Sequence, residues 1–295
     1  MKILFFVPLL LLTIVSCSQK PNADPEHIEE IRAWDERRTE RLREEDGWLN
    51  LTGLFWFKEG ENKIGSAKDN DIVFPSGPDY IGSMFLKDSS VTIIVNPAIN
   101  VISNGQPVTE MTLLDDHSGN PTLLQTGSLR WNVIKRTKGF GIRLRDLNAD
   151  LVKNFKGIER FPVNKDWIFE ADFVPYNPPK KILVPDIIGT VDEEVCPGAV
   201  VFVKDGKEYR IDAIESGRRF FLIFADETSG EETYGAGRFM YVDKPDSNGK
   251  IILDFNKAYN PPCVFTKFAT CPLPPENNFL KLRIEAGEKM WREIH

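Results

Sequence analysis

Between Asp226 and Asn260 the chain gathers the side chains from which a small polar site is commonly built: Asp226, Thr228, Tyr234, Arg238, Asp254, Asn256 and Asn260. A guanidinium presents a planar fork of donors that fits a carboxylate or phosphate in two places at once. The acids and amides around it can orient the rest of a ligand. Read as strands, Thr233 to Val242 put Tyr234, Ala236 and Arg238 on one face and Gly235 and Gly237 on the other, while Ile252, Asp254 and Asn256 share a face of Ile251 to Asn256. Arg238, Asp254 and Asn256 can then meet. Two glycines on one strand face mark a bulge or a place where another group comes close to the backbone. Two readings of Arg238 stay open. Either it clamps an anionic ligand, or Asp254 takes it up in a buried pair that fixes the register of the two strands, since a buried charge needs a partner.

The four cysteines divide by position. Cys17 follows Met1, Lys2, an apolar run of thirteen residues from Ile3 to Val15, and Ser16. As a helix that run spans about 20 Å, short of a hydrocarbon core of roughly 30 Å. A basic start, an apolar stretch and small residues before a cut site are the marks of a secretory signal. Ile14-Val15-Ser16-Cys17 resembles the bacterial lipobox, which implies that the Cys17 thiol carries acyl chains such as palmitate and becomes the new N-terminus. The expectation is therefore an exported lipoprotein, anchored to a membrane of the cell envelope, with an ordinary secretory signal as the alternative. In an oxidising compartment Cys263 and Cys271 are the natural bridge and Cys196 is left over. Zinc is a rival for that pair, but a structural site wants four ligands and no histidine lies near. A reactive thiol is a second rival and needs a base or helix N-terminus beside it. No metal and no cofactor is expected.

Histidine chemistry is thin. His27 falls on a charged helix, His295 is the last residue, and His117 sits in Asp115-Asp116-His117-Ser118-Gly119-Asn120, a composition that turn geometry alone explains. Neither Gly-x-Ser-x-Gly nor His-Glu-x-x-His is present, so serine-hydrolase and zinc-peptidase mechanisms are disfavoured. Paired carboxylates for glycoside hydrolysis stay open, because their separation is invisible in sequence. Ile64-Gly65-Ser66 with Asn70-Asp71-Ile72-Val73 resembles the opening of forkhead-associated phosphopeptide modules, yet Ser66 replaces the usual arginine and the later phosphate ligands are missing. Tyr234-Gly235-Ala236-Gly237-Arg238 begins like a dinucleotide loop, but Met240 stands where the third glycine belongs. Trp48, Phe55, Trp56 and Phe57 suit a sugar-stacking platform, although large apolar residues are more often core.

The elements that must position these residues are mostly strands. After a short tether, Asp24-Pro25 reads as a helix start, and residues 26–45 read as one charged helix with Ile28, Ile31, Trp34 and Leu42 as a thin apolar stripe. From Gly47 on, short runs of Val, Ile, Phe, Tyr and Trp are broken by Gly, Pro, Asn and Asp, the pattern of a mainly β fold of sandwich-like or barrel-like units in close contact. Asp205-Gly206 between two such runs predicts a tight hairpin. The predicted organisation is a signal over 1–17, tether and charged helix over 18–46, and β units over 47–176 and 177–295, divided at Asn177-Pro178-Pro179-Lys180-Lys181. Cutting at Cys17 removes one charged side chain, Lys2, and moves the net charge from −7 to −8. No basic stripe is visible, so nucleic acid is not an expected partner.

The segments Phe224-Ala225-Asp226-Glu227-Thr228, Thr233-Tyr234-Gly235-Ala236-Gly237-Arg238-Phe239, Asp254 to Cys263, Ala269 to Asn277 and Ala286-Gly287-Glu288-Lys289 together resemble the bacterial domain of unknown function family 1684. Gly47-Trp48-Leu49, Gly53 to Phe57 and Ile64-Gly65-Ser66 agree with it, extending the resemblance over roughly residues 47–290. It implies a coherent folded unit and no activity. The expected function is a lipid-anchored, noncatalytic β protein of the envelope that binds an anionic or polar small molecule, glycan or peptide. The alternative is an envelope hydrolase using carboxylates with an Arg238 clamp.

Overall fold

A computed structural model describes residues 20–292. The predicted signal segment with Cys17, the first residues of the predicted tether and His295 lie outside the described residues. Helix α1 (Pro25–Arg43) starts after Asp24, which holds an extended conformation with proline at the first helical position. Glu26 lies in its first turn and Arg41 and Arg43 in its last, each favourable to the helix dipole. Ile31 and Leu42 are buried and most of the remaining surface is charged. Charge nevertheless docks it. Arg38 reaches Glu288 at 3.2 Å, Asp35 meets Arg160 at 2.9 Å, and Glu30 meets Lys257 at 2.7 Å. Among the described residues no helix is long and apolar enough to cross a membrane.

Eleven strands follow in the first half: β1 (Leu51–Trp56), β2 (Gly60–Gly65), β3 (Ile72–Val73), β4 (Gly82–Lys87), β5 (Ser90–Val95), β6 (Ile102–Ser103), β7 (Gln106–Pro107), β8 (Glu110–Leu113), β9 (Leu124–Thr126), β10 (Leu129–Arg136) and β11 (Gly139–Asp146). They form two sheets, ordered β1-β11-β10-β9-β6-β7 and β3-β2-β4-β5-β8. Alternation drives their packing. Val91, Ile93 and Val95 of β5 point inward, as do Trp131 and Val133 of β10 and Ile142 and Leu144 of β11, closing on Phe74 and Met84. Phe55 and Phe57 pack against this core, whereas Trp48 packs elsewhere, beside the second sheet system.

The second half holds β12 (Ile168–Pro185), β13 (Val191–Lys204), β14 (Lys207–Ser216), β15 (Arg219–Phe224), β16 (Arg238–Asp243) and β17 (Lys250–Asp254) in the order β16-β15-β14-β13-β12-β17. The two ends of that order come close together, so the sheet curls into a nearly closed barrel around Trp167, Phe202, Leu222, Phe224, Leu253 and Phe255. Asp205 and Gly206 both take positive φ and join β13 to β14 as a two-residue turn. The composition break at Asn177 to Lys181 falls inside β12, where the ladder to β13 skips from Pro175 to Lys180. Prolines cannot donate to a ladder, so they bulge the strand without ending it. The passage from one sheet system to the other runs instead through residues 147–167, with the short helix α2 (Asp150–Asn154).

One predicted strand differs. Residues 233–237 are turn, because Gly237 takes φ 87° and its N–H bonds back to Tyr234 O. A Cβ there would stand 2.5 Å from Phe224 O, which is the close approach to the backbone that the glycine pair predicts. Phe279 to Ile284 form no strand. Their backbone groups are taken up by the turn at Ala225 to Glu227, with Leu280 N–H on Ala225 O and Glu227 N–H on Leu282 O.

Candidate functional site

The polar residues singled out between Asp226 and Asn260 do not form one site. Arg238 opens β16 fully buried, and its guanidinium donates to Asp226 Oδ2 at 2.7 Å, to Ile284 O at 3.0 Å and to Ala286 O. Asp226 in turn accepts from Thr228 N and Thr228 Oγ1, and the Thr228 hydroxyl pairs with that of Thr233 at 2.8 Å. The partner of Arg238 is thus Asp226, not Asp254. Because residues 233–237 turn, Arg238 begins its strand and reaches back over the preceding turn, away from β17.

Asp254, Asn256 and Asn260 belong to separate groups. Asp254 Oδ1 accepts from the backbone and side-chain nitrogens of Asn256, while its Oδ2 stands 3.4 Å from His27 Nε2 of α1. Asn256 also bonds both backbone polar atoms of Asn164. Asn260 donates its N–H to Glu288 Oε2 at 2.7 Å and its amide to Lys289 O. Tyr234 is half-buried, and that burial pushes its phenol above its ordinary range. These side chains hold loops to strands and helix to barrel. Two cavities of about 580 Å³ each are lined by none of Asp226, Thr228, Tyr234, Arg238, Asp254, Asn256 or Asn260.

One of the two lies between α1 and the outer face of the barrel. On β15 and β16 the inward residues Phe220, Leu222, Met240 and Val242 fill the core. Period two then turns Arg219, Phe221, Phe239 and Tyr241 outward, with Phe221 paired to Tyr241 across the ladder. The rings run in series. Tyr241 stacks on Phe221 at 4.8 Å, Phe221 meets Phe239 edge-on at 4.9 Å, Phe239 meets Tyr259 at 6.0 Å, and Tyr259 meets Trp34 of α1 at 6.3 Å. The walls are α1 on one side and the segment from Pro262 to Pro272 on the other, with Trp48 beside Asp46 and Gly47 where the chain leaves the helix.

Guanidinium groups edge this floor. Arg219 lies 4.5 Å over the Tyr241 ring, and Arg38 lies 4.6 Å over Tyr259 while bound to Glu288 and to Asn260 O. Glu288 is fully buried, and burial pushes its carboxyl up against the opposing pull of Arg38 and the Asn260 N–H. Arg41 pairs with exposed Glu44, an interaction worth little at a surface. Arg37 and Arg219 have no ion-pair partner among the described residues, and Asp46 is the one carboxylate of the lining. Outside the groove, Arg143 stacks 5.2 Å over Trp48 from β11, its charge disfavoured by burial to a pKa of about 10.

The second cavity is lined by Phe155, Glu159, Glu231, Glu232, Lys289 and Trp291, among others. Its three carboxylates are paired, Glu159 with Lys289, and Glu231 and Glu232 with Arg283 beyond the lining, while Lys156 and Arg292 also line it. The cysteines divide as the spacing suggested. Cys263 and Cys271 are bridged and sit on the groove wall, while Cys196 is buried, its thiol pushed up to about 11 by burial and by nearby Asp212. His117 is an exposed turn residue held by Asp115.

The groove residues Trp34, Arg37, Arg41, Arg219, Tyr241 and Tyr259 escape sequence reading as a set, since they come from elements far apart in the chain. A signal exists within each element. Trp34, Arg37, Arg38 and Arg41 follow helical spacing, and Arg219 with Phe221, like Phe239 with Tyr241, follow strand spacing.

Compared with known proteins, residues 153–289 match the family described as "Protein of unknown function (DUF1684)". The match begins well after Gly47, so the first β unit and α1 lie upstream of it. No curated protein matches the chain. Among solved structures, the solution NMR structure of an uncharacterized protein of Haloarcula marismortui is 30% identical, over 46% of this chain and 78% of that one, with a TM-score of 0.39. The Rv0020c FHA structure is 18% identical, over 30% of this chain and 76% of that one, with a TM-score of 0.22.

Proposed function

The chain belongs to the DUF1684 family of proteins of unknown function, and we propose that this member is a lipid-anchored binding protein of the cell envelope whose ligand is an anion held in the groove between α1 and β15–β16. One observation carries the ligand half of that reading. Arg37 and Arg219 border a hollow of about 580 Å³ floored by aromatic rings, with no ion-pair partner for either among the described residues. An unpaired guanidinium beside a partly desolvated floor gains most from an anion that binds its fork in two places. The anchor half rests on Lys2, the apolar run to Val15 and the Ser16-Cys17 junction. Several acyl chains hold a protein on a bilayer far more firmly than one.

A noncatalytic role suits the lining. Hydrolysis of glycosides takes two carboxyl groups across the scissile bond, and this groove contributes Asp46 alone. The Arg238 clamp of the alternative reading is already occupied by Asp226. The test is a titration with 1-anilinonaphthalene-8-sulfonate, an aromatic anion that fluoresces on binding. The wild type is expected to bind it saturably, and Arg37→Ala/Arg219→Ala to bind it at least about tenfold more weakly, since each charge-assisted bond is worth about 1.5–3 kcal/mol. Both side chains are exposed and unpaired, so the melting temperature should hold. Equal affinity in the folded double variant would end the proposal.

A further inference from the structure

We infer that the anion this groove takes is an acidic glycan, with uronate-type sugar rings stacked along the aromatic strip and their carboxylates in the forks of Arg37, Arg41 and Arg219; the inference rests on the binding role proposed above. The floor selects for flat faces. Its accessible rings are Tyr241 stacked on Phe221 at one end and Tyr259 beside Trp34 at the other, with Phe239 buried edge-on between them and Trp48 on the lining as well. A pyranose lays its C–H face on such rings and keeps its hydroxyls toward the rim, where Thr270 and Asp46 offer polar partners. An acyl chain asks for a different lining, an aliphatic and enclosed one. Here Leu42 and Ala269 are buried behind the surface, which leaves Pro262 and Pro272 as the other aliphatic members of the lining.

Charge placement argues for a chain of anionic units over a single small acid. The cations stand on both sides of the strip, Arg37 and Arg41 one turn apart on α1 and Arg219 on β15. One carboxylate engages one side; a polyuronate engages both. A nucleic acid also carries repeated anions, but the sequence shows no basic stripe of the kind that tracks a phosphate backbone.

The test displaces the bound naphthalene sulfonate from wild-type protein at low ionic strength. Competitors are a galacturonate hexamer, a glucuronate-containing hyaluronan hexamer, monomeric galacturonate, a neutral malto-oligosaccharide, benzoate and dodecanoate. At least one uronate hexamer is expected to displace the probe, at least about tenfold more effectively than its monomer, while the neutral chain fails. Tyr241→Ala, an exposed ring, should weaken hexamer displacement at least about fivefold with unchanged melting. Displacement by benzoate or dodecanoate with both hexamers inert would overturn the glycan assignment, as would inert competitors throughout. In either case arginine-dependent binding of the probe would leave the broader anion-binding reading standing. Failure of the probe itself to bind through Arg37 and Arg219 would remove both.

Discussion

Two kinds of arginine coexist in this molecule, and their surroundings separate them. Arg238 has every neighbour a buried guanidinium needs: Asp226 and the carbonyls of Ile284 and Ala286. Arg37 and Arg219 have none of that. Replacing Arg238 by Met is predicted to cost about 3–5 kcal/mol in urea denaturation, chiefly because Asp226 is left buried without its counter-charge. Arg238→Met/Asp226→Asn should recover part of that loss, and a single variant as stable as the wild type would contradict the assignment. The sequence made the residue types of this cluster legible, including the close approach at Gly237. It hid the pairing, because a turn from Thr233 to Gly237 and a strand there would present Arg238 to different partners, and only tertiary contacts with Phe224 and Pro274 choose between them.

Elements matter here through the walls they give the groove. The segment Pro262 to Pro272 contributes one wall and is closed on itself by Cys263–Cys271, eight residues apart. Constraining so short a loop in the unfolded chain is worth about 2.5 kcal/mol. Cys263→Ser/Cys271→Ser is therefore predicted to lower unfolding free energy by that order and to weaken the sulfonate probe, since Ala269 to Pro272 line its site. Unchanged melting and unchanged binding would show the bridge to be idle. The bridge and the Asp205-Gly206 hairpin were readable because both are local. Helix α1 was readable as a helix but not as a wall. Its apolar stripe is thin, with Ile31 and Leu42 its fully buried members, and the charged partners that help dock it, Glu288, Arg160 and Lys257, lie far off in sequence, where no pattern within residues 25–43 reaches.

At the scale of the whole molecule, the family match covers the barrel and the Pro262 to Pro272 wall, and α1 completes the groove from outside that match. The mainly β character and the two sheet systems follow from alternation, while the point of passage between them does not, because prolines at 178 and 179 mimic a linker inside β12. The proposed anchor belongs to this scale too. Cys17→Ser, expressed in its native host, is predicted to leave the membrane fraction and lose its acyl mass; retention on the membrane at wild-type level would contradict lipidation at that residue. Whether the groove selects an anion is decided by titrating the protein with 1-anilinonaphthalene-8-sulfonate and with its uncharged relative N-phenyl-1-naphthylamine, at low and at high salt. Saturable binding of the sulfonate is expected, weakening as salt rises and lost in Arg37→Ala/Arg219→Ala, with little binding of the uncharged compound. Equal binding of both compounds, indifferent to salt and to the two arginines, would contradict anion selection.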